Sequence, residues 1–177
     1  MKILIAAACA LPLLACASES EQQAAPATNQ TADVAGRAGD AGAMEVSRSA
    51  ARSPTPGPTD LFTGDVTIRP LFNPKGQSQV GAAHVRFEPG ARTAWHKHPL
   101  GQRLVVLEGS GWTQVDGGPI EAIRAGDVVW CPPDVRHWHG ATPTTAMAHI
   151  AIQEAENGSP VEWMEHVPDE IYSAGSA

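Results

Sequence analysis

His96 and His98, two histidines separated by a single residue, are the side chains whose spacing most strongly suggests chemistry in this sequence. Side chains alternate between the two faces of a β-strand, so both imidazoles project from one face if this segment is extended. A polar residue, Gln102, follows four positions later, and His137 lies beyond a later strand and turn. Because imidazole nitrogens are common ligands of first-row metals and an amide oxygen can complete such a set, the four residues predict a divalent metal site.

Glycine and proline residues frame these positions in two separate motifs. The first has the form G-x5-HKH-x3-Q-x6-G over residues 90–109, and the second has the form G-x5-P-x-D-x2-H over residues 126–137. Both motifs resemble those of the cupin superfamily. The resemblance implies an all-β fold, a single cupin-type double-stranded β-helix or jelly-roll barrel, with a metal held by His96, His98, Gln102 and His137.

Two positions depart from the usual cupin pattern, and one of them changes the expected chemistry. The glutamate of the first motif is Gln102 here, and the glycine two residues after Pro132 is Asp134. A neutral amide leaves a divalent ion with its full charge, whereas a carboxylate would reduce the charge of the site. We therefore expect a stronger Lewis acid and favour polarisation of a substrate oxygen over redox cycling. The alternative is that Gln102 only hydrogen-bonds beside a three-histidine site.

A longer set of segments narrows the resemblance to small bacterial cupins that include manganese-dependent hydroxynitrile lyases. The segments span nearly the whole body of the chain and include DLFTG at 60–64, FEPGARTAWH at 87–96, HPLGQ at 98–102, GDVVW at 126–130, HWHGA at 137–141 and AIQEA at 151–155. The resemblance implies Mn²⁺, reversible cleavage of cyanohydrins such as mandelonitrile into aldehyde and cyanide, and a homo-oligomer acting on a small molecule. Fe²⁺, Ni²⁺ and Zn²⁺ remain alternative ions, because histidine-rich sites accept several first-row metals.

Cyanohydrin cleavage needs a base and a proton donor beside the metal, and four further residues are candidates for these roles. His139 lies two residues beyond His137, and we prefer it as the base or as the donor to cyanide because imidazole titrates near neutral pH. Its alternative role is to orient a ligand. His149 and Gln153 share a polar strand face and could contact substrate, although a structural role for His149 fits equally well. Thr93 could donate to an oxygen held by the metal or merely cap a turn.

Three other functions fit the same motifs. A cupin oxidoreductase or dioxygenase acting on a small aromatic compound or a diketone would carry Fe²⁺ and consume oxygen. A non-catalytic metal- or ligand-binding protein of the cell envelope would hold a saturated metal ion. A sugar isomerase of the cupin type is the remaining alternative. Iron content and oxygen uptake separate the dioxygenase from a lyase.

Short apolar runs separated by turn residues predict the all-β body that must position these side chains. Gly, Pro and Asp separate the runs at near-regular spacing, which is typical of a sandwich or barrel. The predicted strands are 65–68, 80–87, 93–98, 103–107, 111–115, 120–123, 128–130 and 145–153. Only 161–166 and 169–172 are predicted to form helical turns. His84 lies on the strand face opposite Val85 and is expected at a surface or an interface.

The first 58 residues predict a leader and a tether. Residues 1–15 contain Lys2 followed by an apolar run that is too short to cross a bilayer of about 30 Å. We therefore interpret them as a signal peptide. The run ends in LLAC, which resembles a bacterial lipobox with Cys16 as the lipid-modified residue; ordinary cleavage after Ala17 is the alternative. Residues 16–58 contain no aromatic side chain and predict a disordered tether, which leaves 59–177 as the cupin domain. We expect a lipoprotein of the bacterial envelope that faces the periplasm, or a soluble periplasmic or secreted protein, with membrane contact only through Cys16.

Charge and cysteine content limit the partners and the covalent bonds. The formal net charge is -7 and no cluster of Lys or Arg occurs, so nucleic acid is not an expected partner. Cys131 is the single cysteine of the predicted domain, which rules out a disulfide within it, and we interpret it as a small buried residue. Trp130 and Trp138 are expected as core or rim aromatics.

Overall fold

The computed structural model describes residues 44–176. Its strands are β1 Thr55–Pro56, β2 Phe62–Thr63, β3 Val66–Phe72, β4 Val80–Phe87, β5 Arg92–Thr93, β6 His96–Lys97, β7 Gln102–Val115, β8 Ile120–Arg124, β9 Val128–Cys131, β10 His137–Ala141, β11 Met147–Glu154 and β12 Glu162–Trp163. One short helix, α1, spans Asp169–Ser173, and 3-10 turns lie at Ser49–Ala51 and Ala174–Ser176. The predicted leader, its Cys16 and the tether up to residue 43 lie outside the described residues. The sheet begins at Thr55, ahead of residue 59 where we place the start of the domain.

All strand pairs are antiparallel, and the strands form a sheet that curls into a half-barrel. The main path runs β1-β3-β4-β11-β7-β10-β5-β2, while β8 and β9 pair with β7, and β6 pairs with β10 and β12. The first half of β7 pairs with β11 and β9, and its second half pairs with β10 and β8. Strand β7 therefore joins the two halves of the curled sheet. This architecture confirms the predicted all-β class.

The long strand β7 differs from the sequence prediction of two strands, 103–107 and 111–115, with a turn between them. The Glu108-Gly109-Ser110 segment bends the chain without ending the pairing, because β11 and then β10 continue the hydrogen bonding on either side. Gly109 makes this bend sterically allowed: its φ is +69° and a Cβ there would lie 1.8 Å from the carbonyl oxygen of Ala146. The prediction of a turn was wrong because glycine can also mark a bend inside a strand.

Two other predictions, the strand at 93–98 and the helical turn at 161–166, differ from the structure because of long-range strand pairing. Residues 93–98 form not one strand but parts of β5 and β6, which both pair with β10 but differ in their second partner, β2 for β5 and β12 for β6. Residues 161–166 are not helical, because Glu162 and Trp163 pair with Lys97 and His96 to form β12 and β6. The partner of β12 is more than sixty residues away in the chain, so no local pattern could reveal it. The second predicted helical turn corresponds to α1.

Two apolar clusters hold the sheet together. One lies between the two halves of the sheet and includes Phe62, Val66, Val85, Phe87, Val106, Ile123 and Met147. The other packs the C-terminal segment against the sheet and consists of Trp95, Trp112, Trp138, Val167 and Tyr172. Burial of each large apolar side chain stabilises the fold by about 1.5–3 kcal/mol. Trp138 and Cys131 are buried as expected, whereas Trp130 is 47% exposed.

No helix within residues 44–176 combines the length and the apolar character that spanning a membrane requires.

Candidate metal centre

A cavity of about 160 Å³ lies inside the curled sheet and gathers most of the predicted site residues. Its apolar lining includes Ala83, Val85, Ala151 and Trp163. Its polar lining consists of Thr93, His96, His98, Gln102, His139, His149 and Gln153. His137 does not line the cavity, but its ring centroid is 4.2 Å from that of His96. The structure therefore brings together all eight residues that the sequence analysis selected.

Strand pairing explains why residues far apart in sequence meet here. His96 on β6 and His137 on β10 are direct cross-strand partners. Gln102 at the start of β7 is likewise the partner of Gln153 on β11. His98 follows β6 immediately, and its ring centroid is 5.2 Å from that of His96. Register across these two strand pairs, together with the position of His98 directly after β6, thus places three imidazoles and two amides around one end of the cavity.

Each of the three histidines proposed as ligands is oriented by a backbone carbonyl. A carbonyl oxygen can only accept, so the ring nitrogen Nδ1 that contacts it must carry the proton, and Nε2 carries the lone pair. Such contacts are the usual way in which a protein fixes the tautomer of a metal-binding histidine. The three bonds run from His96 to Ala94 at 3.0 Å, from His98 to Pro160 at 2.7 Å and from His137 to Val135 at 3.0 Å.

The contact between Gln102 and His137 is informative because it joins two acceptors. Oε1 of Gln102 lies 3.4 Å from Nε2 of His137, which has no proton to donate once Nδ1 is bonded to Val135. The amide orientation is set by Gln153, whose Oε1 accepts from Nε2 of Gln102 at 3.4 Å. Two lone pairs that face each other in a buried site repel unless a cation lies between them. The pair therefore suits a bound metal better than the alternative of a simple hydrogen bond.

His139 lies closer to this group than the sequence analysis required. The ligand atoms of His96, His137 and His139 all lie within 4.8 Å of one another. His98 is not part of this tightest trio, and its ring centroid is 5.6 Å from that of His137. Nε2 of His98 and Nε2 of His139 are both buried and have no hydrogen-bond partner among residues 44–176. Four imidazoles are thus available where three were assigned to the metal.

Burial keeps these imidazoles neutral. Removal from water lowers the pKa of His96 and of His139 well below the ordinary value of 6.5, and it lowers the pKa of His98 to a smaller extent. Burial lowers the pKa of His137 to about 4 and that of His149 to about 3. A neutral imidazole has a free lone pair at pH 7, which is the form that binds a metal or accepts a proton.

The remaining catalytic candidates contact His139. Nδ1 of His139 lies 3.2 Å from Nε2 of His149. The backbone N–H of His139 donates to the hydroxyl oxygen of Thr93 at 3.2 Å, and Thr93 is buried on β5. Thr93 therefore anchors the strand that carries His139, in addition to lining the cavity. Gln153 contacts Gln102, as described above, and is only partly buried.

Cys131 lies behind the ring of His137 and not in the cavity lining. Its Sγ is 3.0 Å from Nδ1 of His137, and burial raises the pKa of the Cys131 thiol to about 11. The sulfur therefore remains a thiol at neutral pH, which agrees with its interpretation as a buried residue and not as a nucleophile.

The cavity has an aromatic wall that was not predicted from the sequence. The ring centroid of Trp163 lies 4.8 Å from that of His96, and Phe62 meets Trp163 edge-on at 5.6 Å. The carbonyl of Pro160 that orients His98 belongs to the same C-terminal segment. These residues reach the site through the pairing of β12 with β6, so the sequence carried no local signal for them.

Comparison with known proteins agrees with this geometry. Residues 83–152 match the family described as Cupin domain. Over 129 residues the chain is 57% identical to (R)-mandelonitrile lyase from Granulicella tundricola, covering 73% of this chain and 98% of that protein. The chain belongs to the cupin family. A crystal structure of a cupin-like protein from Thermotoga maritima is 42% identical with a TM-score of 0.66, covering 70% of this chain and 92% of the other.

A second relative, of lower sequence identity, is also named as a lyase. The chain is 35% identical over 92 residues to dimethylsulfoniopropionate lyase DddW from Ruegeria pomeroyi, covering 51% of this chain and 60% of that protein. The resemblance to cupins that include hydroxynitrile lyases is thereby confirmed, as is the cupin fold. A cluster of buried neutral histidines in such a barrel fits a divalent metal.

Proposed function

We propose that this cupin is a divalent-metal-dependent hydroxynitrile lyase that cleaves mandelonitrile-type cyanohydrins to an aldehyde and hydrogen cyanide. The observation that carries the proposal is the set of inward-facing lone pairs at one end of a small cavity, in a chain 57% identical to (R)-mandelonitrile lyase. A cavity of about 160 Å³ is below the roughly 300–1,000 Å³ of drug-sized ligand sites and suits a small substrate.

His96, His98, Gln102 and His137 would hold the metal, for which Mn²⁺ is our choice. When bound, a divalent ion supplies Lewis-acid polarisation of the substrate oxygen and lowers the pKa of its hydroxyl group. We assign His98 to the metal because Pro160 fixes its Nδ1 as the donor and leaves its buried Nε2 as an unpartnered acceptor. The neutral amide of Gln102 leaves the charge of the ion undiminished.

His139 is the residue that we assign to proton transfer. Its Nδ1 is bonded to another imidazole, that of His149, so Nε2 can carry the lone pair toward the cavity when His149 accepts. Its lowered pKa keeps the ring neutral and able to take the hydroxyl proton of a cyanohydrin. The same proton is then available to the departing cyanide, so that one group serves both halves of the reaction.

His149, Thr93 and Gln153 complete the arrangement around this base. His149 sets the tautomer of His139, and Thr93 holds the backbone of the same residue. Gln153 orients the amide of Gln102 and lines the cavity, where it can also contact substrate. Trp163 and Phe62 offer an aromatic wall to an aryl group.

The test is cyanide release from racemic mandelonitrile by the Mn²⁺-loaded protein, with the His96→Ala variant as the control. We expect release of cyanide and benzaldehyde in equal amounts, at the same rate under air and under argon. Cyanide release no greater than that of the control would overturn the proposal. Oxygen uptake with an aromatic compound or a diketone would instead favour a dioxygenase, and a tightly bound metal without any turnover would favour a binding protein.

Two variants separate the roles of the histidines. The His98→Ala variant should lose the metal together with activity, whereas the His139→Ala variant should keep the metal and lose cyanide release. Loss of metal in His139→Ala with retention in His98→Ala would show that the tightest trio, and not our assignment, binds the ion. Metal content measured on the purified variants distinguishes the two outcomes.

A further inference from the structure

A pocket of about 150 Å³, which we call the outer pocket, lies beside the metal centre and is separate from the cavity described above. Lys97 and Pro99, the two residues that flank His98 in sequence, line this pocket. Asp134 lines it from the turn that precedes His137. The outer pocket therefore borders the segments that carry the proposed metal ligands.

One side chain, that of Val161, lines both the outer pocket and the cavity, and no other residue within 44–176 does so. Val161 is half-buried and precedes Trp163, which forms the aromatic wall of the cavity, by two positions. Glu162, between these two residues, lines only the outer pocket. The side chain of Val161 is therefore the partition between the two spaces.

The backbone on both sides of Val161 is held in place. The carbonyl oxygen of Pro160 accepts a hydrogen bond from Nδ1 of His98 at 2.7 Å. Glu162 pairs with Lys97 in the register of β12 and β6, and Nζ of Lys97 lies 3.2 Å from Oε2 of Glu162. The cost and the consequence of shortening a side chain depend on whether its surroundings can collapse. Because this segment is anchored at both neighbours, a smaller residue at position 161 should leave an open passage.

The outer pocket is polar, in contrast to the aromatic wall of the cavity. Its charged lining consists of the carboxylates of Asp134, Glu156 and Glu162 and the ammonium group of Lys97. Lys97 is within ion-pair distance of Glu162 and Asp134, whereas Glu156 has no cationic partner in the part of the chain that the structure describes. Carboxylate oxygens only accept hydrogen bonds, so this pocket favours a group that donates an O–H or N–H over an apolar or anionic group.

We propose that Val161 is a specificity-determining residue that restricts the site to small cyanohydrins by closing the cavity off from the outer pocket. Joining the two spaces of about 160 Å³ and about 150 Å³ would bring the site to the lower end of the roughly 300–1,000 Å³ of drug-sized ligand sites. A smaller residue at this position would then admit an aryl substituent that carries a hydroxyl group. The inference rests on the proposed function, because it concerns the substrates that the same site accepts.

The first test compares cyanide release from racemic mandelonitrile and from its derivatives with a hydroxymethyl or an ethyl group at the meta or para position of the ring. The hydroxymethyl and ethyl groups are nearly equal in size, so their comparison separates polarity from volume. The variants are Val161→Ala and Val161→Leu. The control is Val105→Ala, which shortens a half-buried valine of β7 that lines neither space. The value of kcat/KM is measured for each Mn²⁺-loaded protein.

We expect Val161→Ala to raise kcat/KM for at least one hydroxymethyl derivative, relative to mandelonitrile, by about tenfold or more, which is the discrimination that a difference of one methylene gives in a closed pocket. The ethyl derivative should gain less, because it leaves the carboxylates of the outer pocket without a hydrogen-bond donor. Val161→Leu should lower the same ratio, and Val105→Ala should leave it unaltered. An unchanged ratio in Val161→Ala, an equal gain for the ethyl derivative or the same gain in Val105→Ala would overturn the inference.

A binding measurement separates this inference from the proposed activity. Benzyl alcohol and the meta and para benzenedimethanols carry the aromatic ring and the alcohol but cannot release cyanide. Calorimetric titration into the metal-loaded proteins should show that Val161→Ala binds one of the diols about tenfold more tightly, relative to benzyl alcohol, than the parent chain does. A parent chain that releases no cyanide from mandelonitrile would refute the proposed activity alone. Equal relative affinities of the parent chain and Val161→Ala would refute the role of Val161.

Discussion

The amide of Gln102 is the single side chain that most affects the chemistry proposed for this site. Its Oε1 faces the lone pair of His137 and it carries no charge. We predict that Gln102→Glu keeps the metal but slows cyanide release by at least about tenfold, equivalent to about 1.4 kcal/mol in the barrier, because a carboxylate reduces the charge of the ion. Metal content and the rate with mandelonitrile are the measurements. The exposed Gln79→Glu serves as the control, and an unchanged rate in Gln102→Glu would contradict this role.

Buried histidines also predict how the metal-free protein responds to acid. Burial lowers the pKa of His137 to about 4 and of His149 to about 3, while the unfolded chain titrates near 6.5. The unfolded state therefore binds more protons between these pKa values. The contribution of the two histidines to the free energy of unfolding is fully present above pH 6.5 and is lost as the pH falls toward 4. Each such histidine contributes up to about 1.4 kcal/mol per pH unit. Urea unfolding of the metal-free protein at pH 7 and pH 5 measures the loss, and equal stabilities would refute it.

At the scale of the elements, β12 connects the C-terminal segment to the site. Trp163 on this strand forms the aromatic wall beside His96. We predict that Trp163→Leu raises the KM for mandelonitrile about three- to tenfold relative to an aliphatic cyanohydrin, because an aromatic pair is worth about 0.5–1.5 kcal/mol. Trp130→Leu, the same change outside the cavity, should leave the ratio unaltered. Equal KM changes for both substrates in Trp163→Leu would assign the residue a structural role only.

The bend in β7 gives a prediction about stability. Gly109 has a φ of +69° and a Cβ there would lie 1.8 Å from a backbone oxygen, whereas Gly117 has a φ of +73° with nothing within 4 Å. The Gly117→Ala substitution should therefore lower the free energy of unfolding by about 1 kcal/mol, from backbone strain alone. Gly109→Ala should lower the free energy of unfolding by more than about 2 kcal/mol, because the backbone at Ala146, directly before β11, must also move. Urea unfolding of the two variants provides the comparison, and equal losses would argue against the close approach.

At the scale of the whole molecule, the position of the protein in the cell depends on the segment before the barrel. We propose that Cys16 carries a lipid, since it follows a short apolar run in a lipobox-like sequence. The protein should then sediment with bacterial membranes, and Cys16→Ser should shift it to the soluble fraction. Cys9→Ser, within the same leader, is the matched control. A soluble parent chain would support ordinary signal cleavage instead.

Local sequence determined much of this protein. The alternation within residues 145–153 predicted that His149 and Gln153 share one strand face, since a strand has a period of two residues, and both line the cavity. The motif spacing selected the four proposed ligands, strand alternation and side-chain chemistry selected four further residues, and the structure gathers all eight around one cavity. These features were readable because they depend on the geometry of single strands and on motifs within a short stretch.

Tertiary structure alone decided the rest. The continuity of β7, the strand character of residues 162–163 and the approach of Trp163 to His96 all depend on pairing between segments far apart in the chain. The same holds for the burial that lowers the pKa of His139 and for the carbonyl of Pro160 that orients His98. A sequence records the propensities of each segment, but hydrogen bonding, desolvation and register arise only when distant segments pack together.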